Sequence, residues 1–318
     1  MKPTLKIGTR ESELAVWQST LVQKLLHQHG FSSELVFIKT EGDINLVTPL
    51  YELGVQGIFT KTLDAALLNK KIDIAVHSMK DVPTQLAKGI KQAAVLKRAS
   101  YKDVFVFKDR SIVESWQLTV DSDNSPVEIS GTIATSSIRR KAQWLHRYPD
   151  HTFENLRGNI NTRLKKISQS NWSGAIFAAA GLERINLRPE NSIDLNWMLP
   201  APAQGAIMVV CREDDKASFE ACKIFNDADT ALSTKIERDF LRTLLGGCST
   251  PISALAEVKD GTIIFKGNIC SVDGKEKIEI EKTGLIKDSN GLGINAANQI
   301  LKDTKAQNII HAIRNEKN

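Results

Sequence analysis

The stretch Thr62-Leu63-Asp64-Ala65-Ala66-Leu67-Leu68-Asn69-Lys70-Lys71-Ile72-Asp73-Ile74-Ala75-Val76-His77-Ser78-Met79-Lys80-Asp81-Val82-Pro83 decides the fold. Its first part, 62–69, carries apolar residues at helical spacing, and 72–76 is the short apolar run of a strand buried on both faces. The polar residues 77–81 then hang at that strand's carboxyl end, and Pro83 holds Val82 in an extended conformation. Upstream, 5–8 reads as a strand, 35–39 as another, and 14–27 as an amphipathic helix with Leu14, Trp17, Leu21 and Leu25 near one face. Strand, helix and strand in repetition predict βαβ units and a mostly parallel sheet, whose sites lie beyond the carboxyl ends of its strands.

The theme recurs after a polar loop at 121–130. Residues 132–135 and 175–180 read as strands, and 136–146 and 159–168 as helices. The apolar run 206–211 is a late strand with nothing beside it to complete a sheet, so it can return to the first lobe. The last hundred residues differ. Asp260-Gly261 and Asp273-Gly274 are hairpin turns between the β-rich runs 256–258, 262–271 and 277–282, and a helix at 294–302 covers them, giving a small antiparallel α+β unit.

With 318 residues, 42% hydrophobic and 25% charged, the composition is that of a globular protein and excludes collagen-like, coiled-coil and wholly disordered classes. No apolar run approaches the ~18 residues of a membrane span, and 1–7 lacks a signal-peptide core, which points to a cytoplasmic protein without membrane attachment. Cys211, Cys222, Cys248 and Cys270 are too few and too irregular for a disulfide framework, so reduced thiols are expected. Neither they nor the six histidines fall at metal-binding spacing, and no metal is expected.

The net charge of +5 is unevenly spread: residues 131–190 hold ten Lys/Arg against four acids, +6, leaving −1 elsewhere. Half of the 14 arginines sit there. Because guanidinium binds planar oxyanions bidentately, this stretch reads as an anion receptor. No helix-turn-helix, RNA-binding or zinc-finger pattern accompanies it, and arginines mixed with Ser and Thr at turns suit a small carboxylate or phosphate ligand better than nucleic acid.

Three segments carry candidate chemistry, each with a plainer reading. Lys80 and Asp81 are held at the strand's carboxyl end, where Asp81 is either a pre-positioned catalytic acid or the cap of the next helix, while His77 alone suits a structural role. In Thr135-Ser136-Ser137-Ile138-Arg139-Arg140, a strand end enters a helix whose N-terminus favours an anion. The plainer reading is a Ser cap with one arginine turned to solvent. Gly246-Gly247-Cys248 is either a loop that brings a thiol to a cleft or a turn before a buried cysteine.

In this order, these segments resemble the porphobilinogen deaminase family. The resemblance extends over Ile7-Gly8-Thr9-Arg10-Glu11-Ser12, Thr40-Glu41-Gly42-Asp43, residues 77–83 and 135–140, Leu156-Arg157-Gly158-Asn159, Thr162-Arg163, Ala180-Gly181-Leu182-Glu183-Arg184, Ala203-Gln204-Gly205-Ala206 and Gly246-Gly247-Cys248. It implies an α/β fold of two periplasmic-binding-protein-like lobes with mainly parallel sheets plus a small α+β C-terminal domain. The domains would be 1–97 with 199–216, then 101–198, then 217–318, with hinges at 97–101 and 199–201. It also implies a monomeric transferase of tetrapyrrole biosynthesis that joins four porphobilinogen units head to tail with loss of ammonia on a covalent dipyrromethane cofactor.

By that resemblance, Cys248 holds the cofactor through a thioether, Asp81 is the catalytic acid, and Arg10, Ser12, Lys80, Thr135, Ser137, Arg139, Arg140, Arg157, Arg163 and Arg184 bind the carboxylates of cofactor, substrate and growing oligopyrrole, with Phe59 beside a cofactor ring. The chain departs from the family where lysines are common, with Glu52 and Gln56 there, and has Glu13 where Pro is common. Competing readings are a non-enzymatic two-lobed receptor for a polycarboxylate anion and a cysteine hydrolase pairing Cys248 with His77.

Overall fold

The computed structural model describes residues 4–39, 60–111, 114, 131–244 and 250–315. Phe59, Glu52, Gln56 and Cys248 lie outside the described residues. The chain opens with β1 (Leu5–Thr9), α1 (Glu13–Gln28) and β2 (Ser33–Phe37), and continues through α2 (Lys61–Leu68), β3 (Ile74–Ser78) and β4 (Ile90–Val95). It then crosses to β5 (Asp103–Phe107), β6 (Thr132–Ala134), α3 (Ile138–Arg147), β7 (Thr152–Glu154), α4 (Ile160–Gln169), β8 (Gly174–Ala178), α5 (Ala179–Arg184) and β9 (Ser192–Asp194). After these come β10 (Ile207–Arg212), α6 (Lys216–Lys223), α7 (Ala228–Leu244), β11 (Ile252–Lys259), β12 (Thr262–Cys270), β13 (Lys277–Leu285), α8 (Leu292–Ile300) and α9 (Thr304–Asn315).

The two five-stranded sheets share one plan. In the first, ordered β2-β1-β3-β10-β4, β1 pairs in parallel with β2 and β3, and β10 lies antiparallel between β3 and β4. In the second, ordered β7-β6-β8-β5-β9, β6 pairs in parallel with β7 and β8, and β5 lies antiparallel between β8 and β9. In both sheets the fourth strand is the one that arrives from the other lobe. β10 thus returns to the first sheet, where its continuous apolar run is covered on both faces. Val209 and Cys211 pack with Ile7, Ile74 and Leu26 on one side, and Met208 and Val210 with Leu63, Leu67 and Ile72 on the other. Burial of each such side chain stabilises the fold by about 1.5–3 kcal/mol.

The C-terminal sheet, β11-β12-β13, is antiparallel throughout. Its core gathers Phe240 of α7 edge-on to Phe265 of β12 at 5.1 Å, together with Ile236, Ile252, Ile263 and Ile300. α8 crosses α7 so closely that a Cβ on Gly293 would stand 2.1 Å from the Ile236 carbonyl oxygen, so only glycine fits there.

Candidate functional site

β3 ends at Ser78 and the chain turns through a single 3-10 turn, Met79–Asp81. Val82 then takes the extended φ −86°, ψ 129° that Pro83 requires. Met79, at 1% exposure, anchors the turn in the first lobe's core. The neighbouring Lys80 Nζ donates to Gln204 Oε1 at 3.2 Å. Asp81 is exposed, caps no helix, and has no hydrogen bond or ion pair among the described residues. It lies in the field of Lys80 and Arg163.

Asp103 opens β5 and sits at 0% exposure. Arg139 Nη2 reaches its Oδ2 at 2.8 Å, while Arg140 donates to its Oδ1 from Nε at 3.0 Å and from Nη2 at 2.8 Å. Arg139 Nη1 also donates to Leu199 O, and Arg140 Nη1 to Ile176 O. Neither arginine turns to solvent as normal packing of α3 would suggest, because one buried carboxylate between them lets both be buried. That carboxylate is held down at about 2. Its own burial opposes ionisation, and the two guanidiniums beside it outweigh that opposition.

Ser137 caps α3, its side chain accepting from Arg140 N, and Ser137 N donates to Thr135 Oγ1 at 3.2 Å. The Ser cap and the buried arginines therefore coexist. Arg157 is buried, and burial lowers its affinity for a proton. Arg163 Nε donates to Gly158 O at 2.7 Å. Burial first, then Arg140 and Arg157, push its guanidinium down to about 10. Arg184 Nη2 donates to Gly205 O at 2.6 Å and its guanidinium lies 5.8 Å from the Trp17 ring centroid; burial brings it also to about 10. Lys80 is pushed to about 8, by burial and then by Arg140.

Two pockets flank the turn. One is lined by Lys80, Ser137 and Arg139 from the two lobes and by Thr250, two residues beyond Cys248. The other is lined by Arg10, Ser12, Gln18, Thr60, His77 and Asp81. His77 is buried and held neutral, its imidazole pushed to about 4 by burial and by Arg10. The structure thus sets Lys80, Ser137 and Arg139 around one pocket and Arg10, Ser12 and Asp81 around the other, with Arg140, Arg157 and Arg163 in the same electrostatic cluster as Lys80 and Asp81, Thr135 bonded to Ser137, and Arg184 held at the second crossing.

Residues 5–220 match the family model described as porphobilinogen deaminase, dipyromethane cofactor binding domain, and residues 231–302 match that of the porphobilinogen deaminase C-terminal domain. The chain belongs to the porphobilinogen deaminase family. It is 38% identical over 322 residues to the porphobilinogen deaminase of Chlorobium phaeobacteroides, covering 99% of each chain. To that of Syntrophotalea carbinolica it is 39% identical over 302 residues, 93% of this chain and 92% of that one. Among solved structures it is similar to the VFT2 domain of Bordetella pertussis BvgS, with TM-score 0.42 and 11% identity over 70% of this chain and 86% of that one.

The resemblance read from the motifs is therefore borne out. The porphobilinogen deaminase reaction, a transferase chemistry joining porphobilinogen units with loss of ammonia, is the activity of this chain. Both the receptor and the cysteine hydrolase readings are set aside. The donor set also fits a dipyrromethane, whose rings carry acetates and propionates. Arg10, Lys80, Arg139, Arg140, Arg157, Arg163 and Arg184 outnumber the acids acting on them among the described residues, Asp81, Asp103 and Glu183, and burial disfavours the charges of Lys80, Arg163 and Arg184.

Sequence reasoning assigned no role to Asp103 or Gln204. Gln204, fully buried, donates from Nε2 to Tyr101 O at 2.8 Å and to Asp103 Oδ1 at 2.9 Å while accepting from Lys80. An acid opening the apolar run Asp103–Phe107 was the only signal available for the first.

Proposed function

We propose that Asp81 is the catalytic carboxylate of the condensation and that Cys248 holds the dipyrromethane by a thioether. Arg10, Ser12, Lys80, Thr135, Ser137, Arg139, Arg140, Arg157, Arg163 and Arg184 bind the carboxylates of cofactor and oligopyrrole. The observation that carries this reading is a carboxylate just beyond the end of β3 that has no partner among the described residues and lies in the field of Lys80 and Arg163. For Cys248 the support is Thr250, which lines a pocket with Lys80 and Arg139.

When bound, the dipyrromethane supplies the nucleophilic pyrrole carbon to which the first unit is added. The protein's part begins with the incoming porphobilinogen, whose acetate and propionate are neutralised by guanidinium and ammonium groups. Its C–N bond breaks with both electrons leaving on ammonia, so positive charge spreads over the pyrrole ring and its N–H. Asp81 accepts a hydrogen bond from that N–H and stabilises the cation, and a carboxylate oxygen takes the proton displaced from the acceptor pyrrole's α-carbon when that carbon bonds to the methylene. Losing one such electrostatic contact costs about 3–4 kcal/mol in the transition state. Asp81→Asn should lower kcat by roughly 100- to 1,000-fold with KM nearly kept; normal turnover in steady-state assays would reject the role. Intact mass spectrometry should show a dipyrrole adduct that Cys248→Ser abolishes.

The two sheets and their crossings also support a division into lobes at 1–97 with 199–216 and at 101–198, followed by a C-terminal unit. Ala221 and Cys222 of α6 pack in the first lobe's core, which favours starting that unit at α7 rather than at 217. A monomer in the cytoplasm completes the proposal. Cys211, Cys222 and Cys270 are unpaired thiols pushed by burial to about 11, 12 and 12, which suits a reducing compartment. Light scattering of the holoprotein tests the monomer.

A further inference from the structure

The C-terminal unit sends one guanidinium into the catalytic turn. Arg238 of α7 donates from Nη1 to Val82 O at 2.8 Å and to Met79 O at 3.3 Å, and from Nη2 to Pro83 O at 2.5 Å. These three carbonyls bracket Asp81 on both sides, and Val82 N closes the turn onto Met79 O at 3.2 Å. The donor stands 10 residues before Cys248, on a helix that runs to Leu244. Its neighbour Glu237 grips Arg98 at 2.5 Å and Ala203 N at 2.6 Å, so α7 is fixed at this point against both crossings between the lobes. A planar fork with five donors can hold three carbonyls in one geometry, whereas an ammonium on a flexible stem cannot.

We propose that Arg238 is a positioning residue for Asp81: it locks the turn 79–83 to α7 and so fixes the catalytic carboxylate relative to the C-terminal unit. This rests on the reading of Asp81 given above. In this role Arg238 acts on Asp81 through its three bonds to the turn. A displacement of about 1 Å at a reacting group is enough to cost ~100-fold in rate, and carboxylate binding by the arginines of the second lobe does not depend on it.

The test uses holoprotein whose cofactor loading is checked by intact mass. Arg238→Met should lower kcat by about 30- to 100-fold with KM changed less than threefold, and Arg238→Lys, which retains charge and one or two bonds, should recover part of the loss. Arg242→Met, on the same helix, with an exposed guanidinium paired to the buried Asp239, is the control for charge and should stay near wild type. The deciding measurement is the double variant. If Arg238 works through Asp81, Asp81→Asn/Arg238→Met turns over no more slowly than Asp81→Asn alone. Multiplicative losses would overturn the positioning role and leave Asp81 in place, as would a KM effect without a kcat effect. Normal turnover in Asp81→Asn alone would remove both readings. Should Arg238→Met not yield folded protein, Arg238→Lys is read by the same double-variant comparison.

Discussion

At the scale of single residues, the cleft is a set of cations made tolerable by one hidden acid. Asp103 is that acid, and its ionisation links the site to pH. With a folded value near 2 and an unfolded one near 3.8, it contributes stability that is fully present above about pH 4 and is lost as pH falls toward 2. Asp103→Asn leaves Arg139 and Arg140 buried without their counter-charge. We expect it to destabilise the protein by about 3–5 kcal/mol in denaturant titrations, far more than removal of a surface pair. Lys80 gives the opposite pH signature. Its ammonium is protonated below about 8 in the free protein, so kcat/KM should fall as pH rises through that value. A bound carboxylate raises the Lys80 pKa, which moves the inflection in kcat upward. Lys80→Arg should erase the inflection near 8, and a profile unchanged by that substitution would remove Lys80 from the anion site. The arginines were legible in the sequence because charge and residue type mark them. Asp103 was not, since its meaning depends on α3 being packed across the start of β5.

Among the elements, those with a strong period were readable and those fixed by partners were not. β1, α1, β10 and the three C-terminal strands fall within a few residues of the expectation from pattern alone. The apolar run 72–76 pointed to a strand two residues too early. Asp73 accepts from Lys6 N at 2.9 Å at the strand's entrance, so the ladder extends through His77 and Ser78 instead. The run at 175–180 is divided, with the strand ending at Ala178 and Ala179 opening α5. An unbroken apolar run does not distinguish a buried strand from a buried helix. β4, β5 and α7 were not read from the pattern. Element geometry gives a prediction at Gly205, where φ is +87° and a Cβ would meet the carbonyl oxygens of Ala99 and Ser100 at 2.7 Å, both of them backbone in the opposite crossing. Gly205→Ala should cost at least about 1–3 kcal/mol from backbone strain. Because Arg184 donates to Gly205 O, KM should rise as well; equilibrium unfolding and steady-state kinetics on one preparation check both.

In the whole molecule, the two lobes are alike because each receives its fourth strand from the other, and the chain therefore crosses between them twice. The crossings run side by side: Ala99 N donates to Gly205 O at 3.1 Å, and Gln204 Nε2 donates to Tyr101 O. Among the described residues, contacts between the lobes away from the crossings include Asn161 Nδ2 donating to Glu13 Oε2 at 2.9 Å on the exposed surface and Arg184 over Trp17. We expect these crossings to serve as the hinge of the proposed two-lobed division. Glu237 is the residue that joins the C-terminal unit to that hinge. With a side chain at 0% exposure, it accepts from both Arg98 Nη groups, from Ala203 N in the second crossing and from Ala256 N at 2.8 Å in β11. Glu237→Gln preserves shape but removes the charge and turns one acceptor into a donor facing donors. Breaking such a buried pair costs about 3–5 kcal/mol. The loss should be felt at both crossings together, since a single carboxylate spans them. Hydrogen exchange is therefore expected to quicken at 98–101 and 202–205 in concert while the strands of the C-terminal sheet keep their protection, whereas faster exchange confined to β11 would show that Glu237 serves the C-terminal unit alone.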